Sequence, residues 1–238
     1  MWDVPKIWED GDVWILGGGP SVTKQFEIPD SVVQGVVSGK SPPSVYSSYM
    51  SFLHDKHVIG INVSYLIGNW IDVVFFGDGG FFLSHQKELA NFKGIKMSCA
   101  SFANKYKWVR YIERDPKRYG ISQNPSMVCW NGNSGAAAIS IAANMGAKRI
   151  ILLGFDMRLD NTNKQHWHDL YGRLNKIREK TKKRPVIMPF DRHLRGFSQI
   201  AKDADHRGIT IINASPDSAI TQFKKVTVKE LINECNKA

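Results

Sequence analysis

An apolar segment that runs directly into a glycine-rich turn is the sequence feature that most limits which folds this chain can adopt. Residues 13–16 (Val-Trp-Ile-Leu) predict a buried strand, and Gly17-Gly18-Gly19-Pro20-Ser21 follows without a break. Glycine lets a ligand approach bare backbone, and Pro20 suits the first position of a helix, where its missing N–H costs nothing. Free amides at a helix start favour phosphate, so the segment predicts a phosphate-binding turn. The alternative is a tight turn alone, because the segment completes neither the Walker A motif nor the dinucleotide fingerprint.

Further apolar strands alternate with helices along the chain. The predicted strands are residues 58–62, 71–76, 95–98, 149–154 and 208–213, and the predicted helices are residues 133–146, about 194–206 and from 227 onward, with a loop-rich stretch at 38–51. Thr227 and Glu230 have the spacing of a capping box. The near-continuous apolar run at 149–154 is typical of a central parallel strand covered on both faces. Strand and helix alternation predicts one doubly wound, mostly parallel α/β domain over residues 1–238.

The charge of the chain favours anionic partners. There are 32 Lys and Arg against 22 Asp and Glu, a net charge of +10. Residues 164–207 hold twelve Lys or Arg against five Asp or Glu, which is +7 of that total. We therefore predict a basic lid inserted at about residues 158–193, which would clamp phosphates or contact nucleic acid. A solvated surface is the alternative.

Other compositional features point to a protein of the cytoplasm. The N-terminus lacks the basic-then-apolar order of a signal peptide, and no apolar run approaches the roughly 18–20 residues of a membrane span. Cys99, Cys129 and Cys235 lie far apart and form no CxxC pair, which argues against a disulfide framework or a structural zinc site. The oligomeric state stays open.

Polar residues follow several predicted strands, where ligands bind in parallel sheets. Asp78, between glycines, can hold a ribose hydroxyl, a divalent metal or an acceptor, or it can bond its own backbone. Asp156 is either an active-site group or a structural cap. The Asn133-Ser134-Gly135 sequence opens the long helix with a natural N-cap and a glycine that permits close contact. Together with the glycine turn, this second helix start would form a nucleotide cradle.

The histidines supply the remaining candidates. His166 and His168 lie two residues apart, on one face if the segment is extended. With Asp169 or Asp156 they could ligate a metal, although the spacing matches no specific zinc signature. His193 lies between cations, which should lower its pKa and suit it to act as a neutral general base near pH 7. A surface histidine is the alternative for each.

An ordered set of motifs extends these predictions. They are Gly-Gly-Gly-Pro-Ser at 17–21, Gly-Ile-Asn-Val-Ser-Tyr at 60–65, a strand ending at Asp78, Asn-Ser-Gly-Ala-Ala-Ala at 133–138, Ile-Leu-Leu-Gly-Phe-Asp-Met at 151–157, His-Trp-His at 166–168 and Ile-Asn-Ala-Ser-Pro-Asp-Ser-Ala at 212–219. Over about residues 12–223 the set resembles a family of phage and prophage proteins of Rossmann-like fold. That family is grouped with the 6-hydroxymethylpterin diphosphokinase-like domain and is distantly similar to sialyltransferases of glycosyltransferase family 42.

The sialyltransferase likeness implies roles for particular residues. Gly18, Gly19 and Asn62 would line the donor nucleotide site, Ser134 and Gly135 would contact its phosphate or ribose, and His193 would deprotonate the acceptor hydroxyl. Of the paired tyrosines expected between Asp156 and the histidine, the chain keeps Tyr171. The predicted site comprises nucleotide-binding Gly17, Gly18, Gly19, Ser21, Asn62, Asn133, Ser134 and Gly135, the phosphate and lid residues Arg192, Arg195, His166 and His168, and catalytic His193, Asp78 and Asp156.

Three functions follow as expectations. The first is a phage-encoded, nucleotide-sugar-dependent glycosyltransferase that transfers a sugar to a hydroxyl acceptor and requires no cofactor. The second is a diphosphokinase in which Asp78 and Asp156 hold Mg²⁺ against the phosphates of ATP. The third is a non-catalytic nucleic-acid-binding phage protein that uses the basic lid.

Overall fold

The computed structural model describes residues 2–171 and 189–237, and its main feature is a large parallel sheet. The strands of this sheet are β1 (Asp12–Leu16), β2 (His57–Ile61), β3 (Val73–Phe76), β4 (Ile95–Ser98), β5 (Arg110–Tyr111), β8 (Arg149–Leu153), β9 (Thr210–Asn213) and β10 (Lys224–Lys225). A second, two-stranded sheet consists of β6 (Glu113–Arg114) and β7 (Met127–Val128). Every strand pair in the described residues is parallel.

Helices connect these strands and cover both faces of the large sheet. They are α1 (Ser21–Gln25), α2 (Asp30–Val37), α3 (Gly79–Asn91), α4 (Ser134–Asn144), α5 (Phe190–Leu194), α6 (Phe197–His206) and α7 (Val228–Cys235), with 3-10 helices at Pro43–Leu53, Asn62–Ile67 and Ser101–Lys105. The predicted capping box is confirmed, because Thr227 and Glu230 exchange hydrogen bonds at the start of α7. None of the helices in residues 2–171 and 189–237 has the length and apolar character needed to cross a membrane.

The alternation of side chains along the central strands creates two apolar layers. In β1, Val13 and Ile15 pack on the face covered by α4, whereas Trp14 and Leu16 pack on the opposite face. All four side chains are almost completely buried. A strand buried on both faces needs apolar residues at successive positions. The parallel sheet with an apolar layer on each face confirms the predicted Rossmann-like, mostly parallel α/β fold.

The order of the strands locates the crevice in which such sheets bind ligands. The order is β10-β9-β8-β1-β2-β3-β4-β5, so the chain builds outward from β1 in one direction and then from β8 in the other. The connections after β1 and β8 therefore diverge at the carboxyl edge. Ligands of open parallel sheets bind at this point of reversal. The glycine turn and the Gly154-Phe155-Asp156 segment both lie there.

The described residues correct several predicted boundaries. The helix predicted at about 194–206 corresponds to α6 at Phe197–His206, and Leu194 is the last residue of the separate helix α5. The loop-rich stretch at 38–51 contains most of a 3-10 helix. Of the lid predicted at about 158–193, residues 172–188 lie outside the described residues, including the basic run from 173 to 184. The single domain over the whole chain stays a prediction.

Candidate functional site

A cavity of about 330 Å³ lies at the carboxyl edge of the sheet. Its walls come from the turns after β1, β2, β3 and β8, the start of α4, the segment around residue 166 and helix α5. The predicted residues that line it are Gly17, Gly18, Gly19, Asn62, Asp78, Asn133, Ser134, Gly135, Asp156, His166, His168, Arg192 and His193. Ser21 and Arg195 do not line it.

The glycine turn packs against the turn after β8, and its amides are largely used by the chain itself. The Gly17 amide donates to Leu153 O (2.7 Å) and the Gly19 amide to Gly154 O (2.9 Å). The Ser21 amide donates to Asp156 Oδ1 at 3.2 Å. Three amides that the sequence predicts to be free for phosphate are therefore already hydrogen-bonded.

Asp156 binds the start of α1. It is buried, and the Ser21 hydroxyl donates to its Oδ2 at 2.8 Å while the Ser21 amide contacts its Oδ1. Burial raises the pKa of this carboxyl, and the hydrogen bonds from Ser21 oppose the rise. Of the two interpretations of Asp156, the contacts match the structural cap. Ser21 takes part in this cap, with its hydroxyl also 2.9 Å from Ser215 Oγ, which explains why it is away from the cavity.

We predict that Gly19→Ala destabilises the fold by about 2 kcal/mol, a typical cost of overpacking. A Cβ at this position would overlap Asp156 Oδ2 and lie 2.6 Å from Gly154 O, so the cap on α1 must move. Denaturant unfolding measures the loss. Gly11→Ala is the matched control, because a Cβ there meets its nearest neighbour at 3.5 Å, an ordinary contact. Equal free energies of unfolding for the two variants would contradict the prediction.

Asp78 caps a second helix while it lines the cavity. Its Oδ1 accepts hydrogen bonds from the amides of Gly80 (2.7 Å) and Phe81 (3.2 Å) at the start of α3. The side chain is exposed. The contacts match the alternative in which the aspartate bonds its own backbone.

Helix α4 points its N-terminus into the cavity. Asn133 is its N-cap, with Oδ1 accepting from the Ala136 amide at 2.8 Å, and Ser134 and Gly135 form the first turn. The Asn133 Nδ2 also donates to the backbone oxygen of His193 at 3.2 Å. The positive end of a helix favours an anionic group. The same asparagine thus joins this helix start to the helix that carries His193.

His193 stands at the wall of the cavity as a neutral imidazole at pH 7. Its pKa is lowered to about 4, mainly by burial and to a smaller extent by the positive charge of Arg192 and the proximity of His166. The Arg192 Nη2 lies 3.3 Å from His193 Nε2. The direction of the shift is as predicted, but its largest cause is burial, which the sequence did not reveal.

His166 and His168 form a parallel pair in the wall of the cavity. Their ring centroids are 5.1 Å apart with an angle of 2° between the planes. Burial lowers the pKa of His166 to about 4 and holds that of His168 well below its usual value, so both rings are neutral at pH 7. Tyr171 packs edge-on against both rings.

Three buried polar atoms of the cavity wall have no hydrogen-bond partner among the described residues. They are Asn62 Oδ1, His166 Nδ1 and His168 Nε2. A buried polar atom without a partner costs about 1–3 kcal/mol. A polar ligand in the cavity would recover this cost. Asn62 has a positive φ of 53°, which asparagine tolerates better than most residues.

Two tryptophans of the site were missed by sequence reasoning. Trp167 is 1% exposed, and its amide and Nε1 donate to Gly18 O (3.0 Å) and Gly17 O (3.1 Å). These two hydrogen bonds hold residues 166–168, which we call the histidine segment, against the glycine turn. Trp130 lines the cavity beside Gly77, and the guanidinium of Arg114 lies 4.1 Å from the centre of its ring. Neither role has a signal in residue spacing, because each depends on contacts between distant segments.

The two aspartates predicted to hold a metal accept hydrogen bonds from backbone amides and a hydroxyl. Within residues 2–171 and 189–237, no group of three or more His, Cys, Asp or Glu side chains is arranged to hold a metal ion. Asp156 receives two hydrogen bonds from Ser21, and Asp78 receives two from the start of α3. Coordination of Mg²⁺ by Asp78 Oδ1 or by either carboxylate oxygen of Asp156 would compete with these helix caps.

Comparison with known proteins identifies similar folds. No family model matches the chain, and no curated protein matches it. The chain is similar in fold to the MAf glycosyltransferase from Magnetospirillum magneticum AMB-1, with a TM-score of 0.55 and 12% identity over 96% of this chain. It spans 36% of that protein's length. The sialyltransferase CstII from Campylobacter jejuni, in complex with CMP-3FNeuAc, matches with a TM-score of 0.49 and 13% identity, over 91% of this chain and 86% of that one.

Proposed function

We propose that this protein is a glycosyltransferase that uses a nucleotide-sugar donor and transfers the sugar to a hydroxyl group. The observation that carries the proposal is the cavity at the point of strand reversal. There, a neutral histidine faces unpartnered polar atoms and the N-terminus of α4. The distant fold similarity to glycosyltransferases is consistent with this proposal.

The donor would lie between the glycine turn and α4. Its anionic phosphate would face the first turn of α4 at Ser134 and Gly135, where the helix dipole favours negative charge. Asn62 Oδ1 is an acceptor and matches a donor group of the nucleoside, such as a ribose hydroxyl or an exocyclic amine. His166 Nδ1 and His168 Nε2, on neutral rings, can each donate or accept according to the tautomer.

His193 would act as the general base. It takes the proton from the acceptor hydroxyl as the acceptor oxygen forms its bond to the sugar and the bond from the sugar to the donor phosphate breaks. The leaving nucleotide keeps the electron pair of that bond, and α4 together with Arg192 offsets its growing negative charge. A pKa near 4 keeps the imidazole neutral at pH 7, with one ring nitrogen that can accept a proton. An anionic donor beside it would raise that pKa and strengthen the base.

The experiment that tests the proposal is a thermal-unfolding screen with CMP, UDP, GDP, ATP and their sugar conjugates, each with and without Mg²⁺. A ligand at about one hundred times its Kd stabilises the folded state by about 2.7 kcal/mol, which should raise the melting temperature by about 5 °C or more in a chain of this length. Unchanged melting temperatures with all nucleotides and nucleotide sugars would contradict the proposal.

The alternatives have less support from the described residues. Diphosphate transfer requires Mg²⁺, and Asp78 and Asp156 are both used as helix caps. Stabilisation by ATP only in the presence of Mg²⁺, lost in Asp78→Asn, would favour it. A nucleic-acid-binding role through the lid falls largely on residues outside those described. A phage origin, membership of the pterin diphosphokinase-like group and a cytoplasmic location stay predictions.

We predict that Asn133→Ser lowers kcat about tenfold and changes the affinity for nucleotide little. Serine keeps an oxygen that can cap the Ala136 amide and adds no charge beside the proposed donor phosphate, but it removes the Nδ2 donor to the His193 backbone oxygen. Without that hydrogen bond, α5 should shift relative to the start of α4. Steady-state kinetics and nucleotide titration measure the two effects separately. An equal loss of both, or no loss of kcat, would contradict this positioning role of Asn133.

A further inference from the structure

A second concave surface, rich in cations, lies beside the proposed active site. We name it the basic cleft and define it by Lys117, Arg118, Arg195 and Lys202, with Tyr119 in its wall. Its volume is about 510 Å³. Arg195, predicted as a phosphate and lid residue, lines this cleft and not the active-site cavity.

Most of the positive charge in the basic cleft is uncompensated. Lys117 pairs with Asp203 at 2.6 Å. Arg118, Arg195 and Lys202 are exposed and have no ion-pair partner among the described residues. These three cations without an ion-pair partner line the same concave surface. Such a surface attracts anionic groups. Arginine also presents the planar fork that binds carboxylate or phosphate in a bidentate manner.

The basic cleft lies next to the active-site cavity along two segments of the chain. Arg195 keeps helical backbone angles and follows Arg192, which lines the active-site cavity, by three residues, so these two side chains are neighbours on one face of the helix. On the other side, the Asn131 amide donates to Arg118 O at 3.0 Å, and residue 132 lines the active-site cavity. Gly196 packs against the Asn131 side chain and joins the two sides. A molecule that presents a hydroxyl to His193 could thus extend into the basic cleft.

We infer that the basic cleft binds the negatively charged groups of the acceptor, and that the acceptor is a short acidic saccharide carrying carboxylate or phosphate. This inference rests on the proposed function. Affinity for nucleic acid depends on how many phosphates Lys and Arg neutralise, and the described part of the basic cleft supplies three such cations without an ion-pair partner. A cleft of about 510 Å³ beside the base suits a few sugar units instead. Ser198 and Gln199, which also line it, add polar groups that can face sugar hydroxyls.

The test compares a cleft variant with a charge-matched control. Arg195→Ala with Lys202→Ala removes two free cations, and Lys6→Ala with Lys229→Ala removes two exposed cations from other parts of the chain. The probes are tetragalacturonate, which has a carboxylate on every sugar, the neutral tetrasaccharide maltotetraose, and single-stranded and duplex oligonucleotides. Calorimetry gives each Kd at two salt concentrations, and nucleotide-dependent melting is measured on the same proteins.

We expect the unmodified protein to bind tetragalacturonate at least tenfold more tightly than maltotetraose. The cleft variant should lose about tenfold or more of that affinity, and the control should keep it. An equal loss in both variants, absence of tetragalacturonate binding, or tighter oligonucleotide binding that depends on the same two residues would overturn the inference. Nucleotide-dependent melting separates the two proposals. If it persists while tetragalacturonate fails to bind, the basic cleft is wrongly assigned and the proposed function stands; if it is absent, the proposed function itself fails.

Discussion

Replacement of His193 by glutamine should lower kcat by about 100- to 10,000-fold, the usual contribution of a general base. Glutamine keeps a polar side chain of similar size but cannot accept the acceptor's proton. Nucleotide affinity should stay within a few-fold of the unmodified value, because the donor contacts proposed above come from α4, Asn62 and the histidine pair. Turnover assays with the donor found in the melting screen, together with nucleotide titration, measure both quantities.

His206→Gln is the matched control for this substitution. His206 is exposed at the end of α6 and lies outside the cavity, so its replacement should leave kcat unchanged. Retention of more than half of kcat in His193→Gln would show that another group takes the proton. Loss of nucleotide binding along with turnover would show instead that His193 holds the donor.

The pH dependence of kcat/KM for the unmodified enzyme should report the titration of His193. A base acts only when deprotonated, and burial lowers the pKa of His193 to about 4. kcat/KM, which reports the free enzyme, should therefore be flat near neutrality and fall as the pH drops through about 4. The acid limb of kcat should lie at higher pH, since the bound anionic donor raises the pKa. An acid limb of kcat/KM near 6.5 would mean that the imidazole is not desolvated.

The second large effect concerns stability. Trp167→Ala should destabilise the fold by about 3–5 kcal/mol, the range for removal of a buried large aromatic side chain. The indole is 1% exposed, packs edge-on against Tyr46 and donates to Gly17 O. At roughly 2–4 °C per kcal/mol for a chain of this size, the melting temperature should fall by about 6–20 °C. Calorimetry or denaturant unfolding measures the loss.

Trp167→Phe separates packing from hydrogen bonding at this position. Phenylalanine keeps most of the ring but removes the Nε1 donor to Gly17 O, so it should cost clearly less than alanine. If alanine costs no more than about 1 kcal/mol, Trp167 does not fasten the histidine segment to the glycine turn. Because His166 and His168 flank the indole, nucleotide affinity should also fall in the alanine variant.

The fold was largely predictable because it depends on local patterns. The apolar run at 149–154 indicated a strand buried on both faces, and that strand is β8 at the centre of the sheet. Thr227 and Glu230 predicted a capping box, which the structure contains. Hydrophobic periodicity and capping involve residues close in sequence, so the sequence alone carries them. The shortest strands, such as β10, were missed because two residues form no recognisable pattern.

The candidate site was predictable as a set of positions but not as a set of roles. Turns after parallel strands meet at one edge, so Asn62, Asp78 and Asn133 could be expected to lie together. Which oxygens and amides remain available there depends on contacts between segments far apart in the chain. Asp156 and Ser21, separated by 135 residues, form a helix cap, and no spacing rule indicates such a pair.

By itself, the sequence determined the class of fold, the edge of the sheet at which a ligand would bind and the excess of positive charge. These follow from residue order, because backbone periodicity and strand polarity are local properties. Only the tertiary structure decided that most of the glycine turn's amides are occupied, that His193 is neutral through burial, and that Arg195 belongs to the basic cleft. Desolvation and hydrogen-bond satisfaction depend on which distant groups share a space, and that is set only when the chain has folded.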